Sequence, residues 1–412
     1  MAEILEREGY RVRFRVEVPP AEVDQTYRSV LQDYARRIRI PGFRPGRVPE
    51  KVLQARIGRE ALLQEVQERL IDRTYPQAIR ELALLPVEVR LVESNLAELL
   101  DPPPKAFTYV AEVENYPEVR LPEWTSFSLE VPPLEVNEEM EARALEELRQ
   151  RYGEWVPVDR EIQEGDQVFI RTEEGREFSI EMNRALPHVR EALLGRRAGE
   201  EVEVPVLSGN EVTRKLRTQI QEVKVLQLPE RDDEFAKVVG EESLEALRAK
   251  VRSSLEAQAA RAVWQARVDK FQDLLAKHLE VEIPPSMLVR EQEHLLEHLA
   301  EDLAREGKSV EAYLKELEAE GKAEEFRQEL RASAERRIRR ALAREALAES
   351  LGTELTPEEW QAYVSELARA YRRSPAQLEV EMGETLEQLK AQRREDKAVA
   401  EALARLGYPM VG

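Results

Sequence analysis

Nowhere in these 412 residues do ten pass without an aspartate, glutamate, lysine or arginine. A membrane-spanning helix needs about 20 consecutive apolar residues, so insertion into a bilayer is excluded. Hydrophobic residues make up 42% and charged residues 35%, enough apolar material for real cores and too regular a mixture for a disordered chain. The length exceeds what one core usually organises, and roughly two to four domains are expected. Residues Met1–Tyr10 carry Glu3, Glu6, Arg7 and Glu8 where a secretory leader needs a basic end and an apolar block, so the expected compartment is the cytoplasm. The absence of cysteine removes disulfides, thiolate nucleophiles and cysteine metal sites. Only four histidines remain for chemistry near neutral pH, and most enzyme classes lose ground.

The formal charge of −20 argues against wholesale coating of nucleic acid, which binds clustered bases. The average hides a segregation. Arg36, Arg37, Arg39, Arg44, Arg47, Lys51, Arg56 and Arg59 face the single acid Glu50 in a 24-residue window of net charge +7. Residues 1–115 hold 18 bases and 19 acids, so the rest of the chain carries −19. A basic run alone is as consistent with a solvated helix face as with a binding site.

The chain falls into four textures. Arg11–Val18 alternates as a strand with one buried face, Ala21–Ile38 has helical spacing stopped by Pro41 and Gly42, and Val52–Leu84 is helical with breaks expected near Gly58 and Tyr75–Pro76. Pro86–Val92 and Phe107–Val113 return to strand alternation, so residues 1–115 read as an α+β domain with the basic loop at a helix–helix joint. Residues 116–153 read as a linker, a proline-dense extended arm followed by the short helix Glu138–Tyr152. Residues 154–229 form a small β-rich domain around one short helix at Val189–Leu194. Residues 230–412 are almost entirely helical, broken at Pro284–Pro285, Gly307, Gly321 and Gly352–Pro357. The fold class is multidomain α+β with a large all-α C-terminal domain.

Gly42-Phe43-Arg44-Pro45-Gly46-Arg47-Val48-Pro49 resembles the ribosome-attachment signature of the bacterial trigger factor family, Gly-Phe-Arg-x-Gly-x-x-Pro, with every fixed position present. Tyr116–Leu121, Leu228–Ala236 and Ile283–Leu288 extend the resemblance over essentially the whole chain. The domain order is similar too: a ribosome-binding α+β domain, a linker packing with the C-terminal part, an FKBP-like prolyl isomerase domain and a helical domain with arms. The resemblance implies attachment through Gly42, Phe43, Arg44, Gly46, Arg47 and Pro49 to the large ribosomal subunit, protein and rRNA, near the exit tunnel. The residues agree. Gly42 and Gly46 permit a tight exposed tip, Phe43 is pushed outward, and the forked guanidinium groups of Arg44 and Arg47 suit phosphate or carboxylate. The bland alternative makes Phe43 a staple between two helices. Pro45 stands where the family often carries a base.

The β-rich domain departs from its relatives. Gly165–Ile170 resembles the entering strand of FKBP-type isomerases and Gly195–Glu200 the turn after their short helix. The family's Ile-Pro-Gly-aromatic element reads Leu186-Pro187-His188-Val189 here, Thr172 replaces an aromatic, and Ser208–Lys215 is too short for the aromatic flap. Prolyl isomerisation faces a barrier of about 18–20 kcal/mol, and lowering it needs an apolar pocket that holds a twisted amide away from water. Leu186 and Val189 are thus the vestige of a catalytic pocket, with peptidyl-prolyl isomerase activity expected to be weak or lost and the domain retained as an interaction arm. A working isomerase as the main activity is the alternative.

His294-Leu-Leu-Glu-His298 fits the pattern of inverted zinc peptidases, but the pattern is short and no third ligand is identifiable, so no metal site is assigned. No phosphate loop is present and no cofactor is expected. Apolar positions at helical spacing, among them Leu295, Leu296, Leu299, Leu303, Tyr313, Leu314, Leu317, Trp360 and Tyr363, are mostly core. The resemblance implies that some instead line a cradle for nascent unfolded polypeptides. Together these readings describe an ATP-independent, ribosome-associated chaperone with the ribosome, nascent chains and, off the ribosome, a second copy as partners. Abundant charge without cysteine is compatible with a thermophilic source.

Overall fold

The computed structural model describes residues 1–41, 43, 44, 46–98, 105–208 and 211–410, with the backbone alone for residues 98, 206–208, 211–214 and 384. Gly42 and Pro45 of the basic loop lie outside the described residues. The chain divides into two compact units, Met1–Glu130 with Arg267–Met410, and Val131–Ala266.

The first unit opens with an antiparallel hairpin, β1 (Ala2–Glu8) and β2 (Arg11–Val18). Helices α1 (Pro20–Arg37), α2 (Glu50–Ile57) and α3 (Arg59–Glu81) follow, then β3 (Pro86–Ser94) and β4 (Phe107–Asn115), giving the strand order β1-β2-β4-β3. Alternation explains the core. Val12, Phe14, Val16 and Val18 are all buried and pair with Val113, Ala111, Tyr109 and Phe107 of β4, so one face of the sheet meets Val23, Val30, Leu62, Val66 and Leu70 of the helices. Fully burying side chains of this size contributes about 1.5–3 kcal/mol each. The opposite face carries cross-strand ion pairs, Arg13–Glu93, Arg15–Glu3 and Arg90–Glu112. Strand β1 has no counterpart among the expected elements, because an edge strand exposed along its length lacks a clean apolar alternation. The break at Gly58 is present, whereas the one expected at Tyr75–Pro76 is not: Pro76 sits exposed inside α3, where water can satisfy the freed carbonyl.

The second unit contains α4 (Glu138–Arg151), whose N-terminus Asn137 caps through a bond from Met140 N. A five-stranded antiparallel sheet follows, formed by β5 (Glu154–Pro157), β6 (Gln167–Thr172), β7 (Glu177–Glu181), β8 (Glu201–Ser208) and β9 (Glu211–Gln227), with the short helix α5 (Pro187–Leu193) between β7 and β8. The long β9 pairs with β6 on one edge and with both β8 and β5 on the other. Pro205 is tolerated because β8 pairs only with β9. Ile162, Val168, Ile170, Met182, Leu193, Val202, Val204, Ile220 and Val223 make the core. A separate cluster joins Leu145 of α4 to Phe235 and Ala236 of α6 (Asp233–Val239) and to Leu247 and Val251 at the start of α7 (Leu244–His278).

The C-terminal part of the first unit is helical. It comprises the end of α7, then α8 (Pro285–Arg305), α9 (Val310–Ala319), α10 (Ala323–Leu351), α11 (Pro357–Ala370) and α12 (Pro375–Arg405). The breaks fall where glycine and proline were read, at Pro284–Pro285, Gly307, Gly321 and Gly352. One more, between α11 and α12, is closed by a capping box of Ser374 with Gln377. Phe271 packs edge-on against Trp124 and Phe127 from the proline-dense arm, and Ile338, Leu342 and Leu347 of α10 are buried, as are Val399, Ala402 and Leu403 of α12.

Candidate functional site

The segment between α1 and α2 is anchored at its base and bare at its tip. Ile40 and Val48 pack on the core of the first domain. Gly46 donates its N–H to Ala35 O at 2.7 Å, Phe43 N–H to Ile40 O at 3.1 Å, and Arg47 N–H to Arg44 O at 2.9 Å. The backbone is thus folded back onto the end of α1, with Gly46 at φ +79°, a conformation that costs residues with a Cβ about 1–2 kcal/mol. Pro49 precedes α2 at φ −61° and fixes where that helix begins.

Phe43 is 41% exposed, large for an aromatic with a core within reach, so it does not staple the helices together. Arg44 and Arg47 are exposed, and among the described residues neither guanidinium has a hydrogen-bond or ion-pair partner. Some arginines nearby are paired, whereas Arg36, Arg37, Arg39 and Arg56 of the same basic window, like Arg44 and Arg47, have no such partner among the described residues. Arg69 bridges Asp33 at 2.7 Å and Glu65 at 2.8 Å, and Arg73 meets Glu22 at 2.6 Å. The Arg69 hydrogen bond holds the Asp33 carboxyl below the usual carboxylate range. Glu50, the one acid of the basic window, is turned away from the tip: it accepts from Tyr27 Oη at 2.9 Å and Gln54 Nε2 at 3.0 Å. That arrangement leaves an outward aromatic and two uncompensated guanidinium groups on one short loop, able to bury a ring and grip oxyanions.

The two candidate pocket residues differ in exposure. Leu186 caps α5 and is 62% exposed, whereas Val189 packs on the core of the second unit. Thr172 is buried, and its hydroxyl accepts from Arg176 N at 3.2 Å and lies 3.4 Å from Arg176 O, so it closes the β6–β7 hairpin. A cleft of about 700 Å³ in this unit is lined by Trp155, Arg160, Asp166, Glu181 and Arg184 and touches neither Leu186 nor Val189. Its floor is polar, because Asp166 is locked by Arg160 at 2.7 and 2.8 Å.

The pattern of the family described as bacterial trigger factor protein matches residues 1–148, and that of its C-terminus matches residues 243–404. A trigger factor of Thermus thermophilus is 58% identical over 409 residues, covering 99% of this chain and 100% of its own. The chain belongs to the trigger factor family. The trigger factor of Deinococcus deserti is 36% identical over 417 residues, covering 99% of this chain and 94% of its own. A solved structure reported under the words "Promiscuous Substrate Recognition in Folding and Assembly Activities of the Trigger Factor Chaperone" matches in fold with a TM-score of 0.64 at 24% identity, over 98% of this chain and all of its own. Trigger factors are ribosome-associated chaperones, and no described helix is long and apolar enough to cross a membrane.

A feature that sequence reading did not single out is the acidic cluster around Tyr116. Its hydroxyl donates to Glu345, and burial pushes its ionisation well above the ordinary tyrosine range. Nearby, Arg344 approaches Glu395 at 3.3 Å and Asp396 at 2.8 Å. These residues are far apart in a charge-dense sequence, and no local pattern marks them.

Proposed function

We propose that the tip carrying Phe43, Arg44, Gly46 and Arg47 attaches the chain to the large ribosomal subunit near the exit tunnel, through ribosomal protein and rRNA. The observation that carries this reading is the pair of unpartnered guanidinium groups beside an exposed phenyl ring. Pro49 fixes the joint, and Gly42 is assigned to the same loop from the sequence. Nascent polypeptides would be held on half-buried apolar stripes. Support comes from α9, which contains Tyr313, Leu314 and Leu317 yet has no buried residue, and from α8, where Leu295, Leu296 and Leu299 are only half-buried. Such patches suit weak, reversible contacts with unfolded segments. The division of labour follows residues 1–115 for attachment, 116–153 as linker, 154–229 as a reduced FKBP-like arm and 230–412 for client holding, in the cytoplasm, with a homodimer off the ribosome.

Co-sedimentation with bacterial ribosomes tests the attachment. The triple variant Phe43→Ala, Arg44→Ala, Arg47→Ala should lose binding by at least tenfold while keeping the parent circular dichroism; equal binding would reduce the tip to a structural turn. The reduced domain is expected to be a weak or inactive prolyl isomerase, since Thr172 and Val189 stand where the family places aromatic side chains. A proline-limited refolding assay should show no catalysed phase above the spontaneous one, and a clear rate gain would restore the isomerase as the main activity.

A further inference from the structure

Two of the four histidines stand together and belong to neither reading above. His294 and His298 lie one turn apart on α8, both exposed, with ring centroids 4.5 Å apart and planes at 76°. Side chains at i and i+4 share a helix face, so both rings reach the same volume of solvent. Behind His294 stands Glu291, whose Oε1 is 4.0 Å from Nδ1 of His294 and 3.1 Å from Nε of Arg337. That oxygen is buried and has no hydrogen bond of good geometry. A carboxylate on the Nδ1 side favours the tautomer protonated there, which leaves the Nε2 lone pair available to a cation. The exposed Glu293 and Glu297 add negative potential for an approaching cation. The other two histidines are elsewhere: His188 is on α5, and the His278 ring packs 6.1 Å from Phe127.

We propose that His294 and His298 form a two-point clip for a divalent first-row transition-metal ion. Among the described residues no group of three or more metal-competent side chains converges, so water fills the remaining positions. The clip is therefore a labile surface site rather than a peptidase centre or a structural zinc. Imidazole donors suit copper, nickel and zinc, and the affinity order should follow copper above nickel and zinc, with magnesium and calcium excluded. A bound ion ties two successive turns of the arm helix together. The inference is independent of ribosome attachment and client holding.

Calorimetric titration of the untagged full-length chain with nickel, zinc and magnesium chlorides in a non-chelating buffer tests it. The expected result is one nickel or zinc ion per chain and no heat of binding from magnesium. His294→Ala and His298→Ala should each abolish saturable binding, Glu291→Gln should weaken it by about tenfold, and His278→Ala should leave it unchanged. Because both rings are exposed, the variants should keep parent circular dichroism, and His298→Gln serves if alanine perturbs the helix. Absence of saturable nickel binding, retention of it in either histidine variant, or equal binding of magnesium would each overturn the clip.

Discussion

Glu395 shows how little of a side chain's environment is written beside it in the sequence. It sits among Arg393, Arg394, Asp396 and Lys397, a run that reads as a solvated helix face, yet its side chain is largely buried and burial raises its pKa. Arg344 pulls the other way, while Glu345 and Asp396 add repulsion. The folded state therefore holds this proton more tightly than the unfolded chain. At neutral pH the ionised group disfavours the fold, and as pH falls through its raised pKa toward the ordinary carboxylate range the folded state gains. Glu395→Gln imitates the protonated form and should raise the melting temperature at pH 7 by about 1–2 °C, small because the carboxyl keeps some contact with solvent and the lost attraction to Arg344 offsets part of the gain. The gain should shrink as the pH is lowered toward the ordinary carboxylate range, because the parent carboxyl takes up its proton above that range. A variant less stable than the parent at pH 7 in differential scanning calorimetry would mean that the Arg344 contact outweighs burial.

Elements were legible where local chemistry decides them. The strand Arg11–Val18 follows from strict alternation, and the helix ends at Gly307, Gly321 and Gly352 follow from residues that stop helices. The α11–α12 break carried its own signal, Ser374-Pro375 with Gln377 three residues after the cap. Strand β1 had no such signal, being fixed by pairing with β2, and Pro76 misled because its solvent exposure inside α3 is a tertiary fact. The tip was the most legible part: a basic, glycine-bearing joint between two helices is what the chain forms, with Phe43 outward. Its shape depends on Gly46, so Gly46→Ala should strain the tip by about 1–2 kcal/mol and loosen its bond to Ala35 O. No heavy atom lies within 4 Å of the added Cβ, so the fold should survive with unchanged circular dichroism. Ribosome affinity should fall several-fold in co-sedimentation, and an affinity equal to the parent's would show that Phe43 and the arginines bind without a preset loop.

At the scale of the whole molecule the decisive property is the opposition between a −20 chain and a +7 window. If the partner surface is rich in RNA, it repels the acidic body and attracts the basic window, so the charge pattern orients the encounter. Composition alone shows the sign of the body, but only the folded tip shows that Glu50 is engaged by Tyr27 and Gln54 rather than neutralising Arg44 or Arg47. If those two guanidinium groups meet rRNA phosphates, attachment releases about two counterions, and the slope of log affinity against log salt should lie near −1.4 to −1.8. Raising monovalent salt from 50 to 200 mM would then weaken ribosome binding by roughly tenfold. The double variant Arg44→Ala, Arg47→Ala should bind more weakly at low salt and lose most of that slope, the residual affinity coming from Phe43. An unchanged slope in the variant would place the phosphate contacts on other bases of the window, such as Arg36, Arg37 or Lys51, and make Phe43 the principal contribution of the tip.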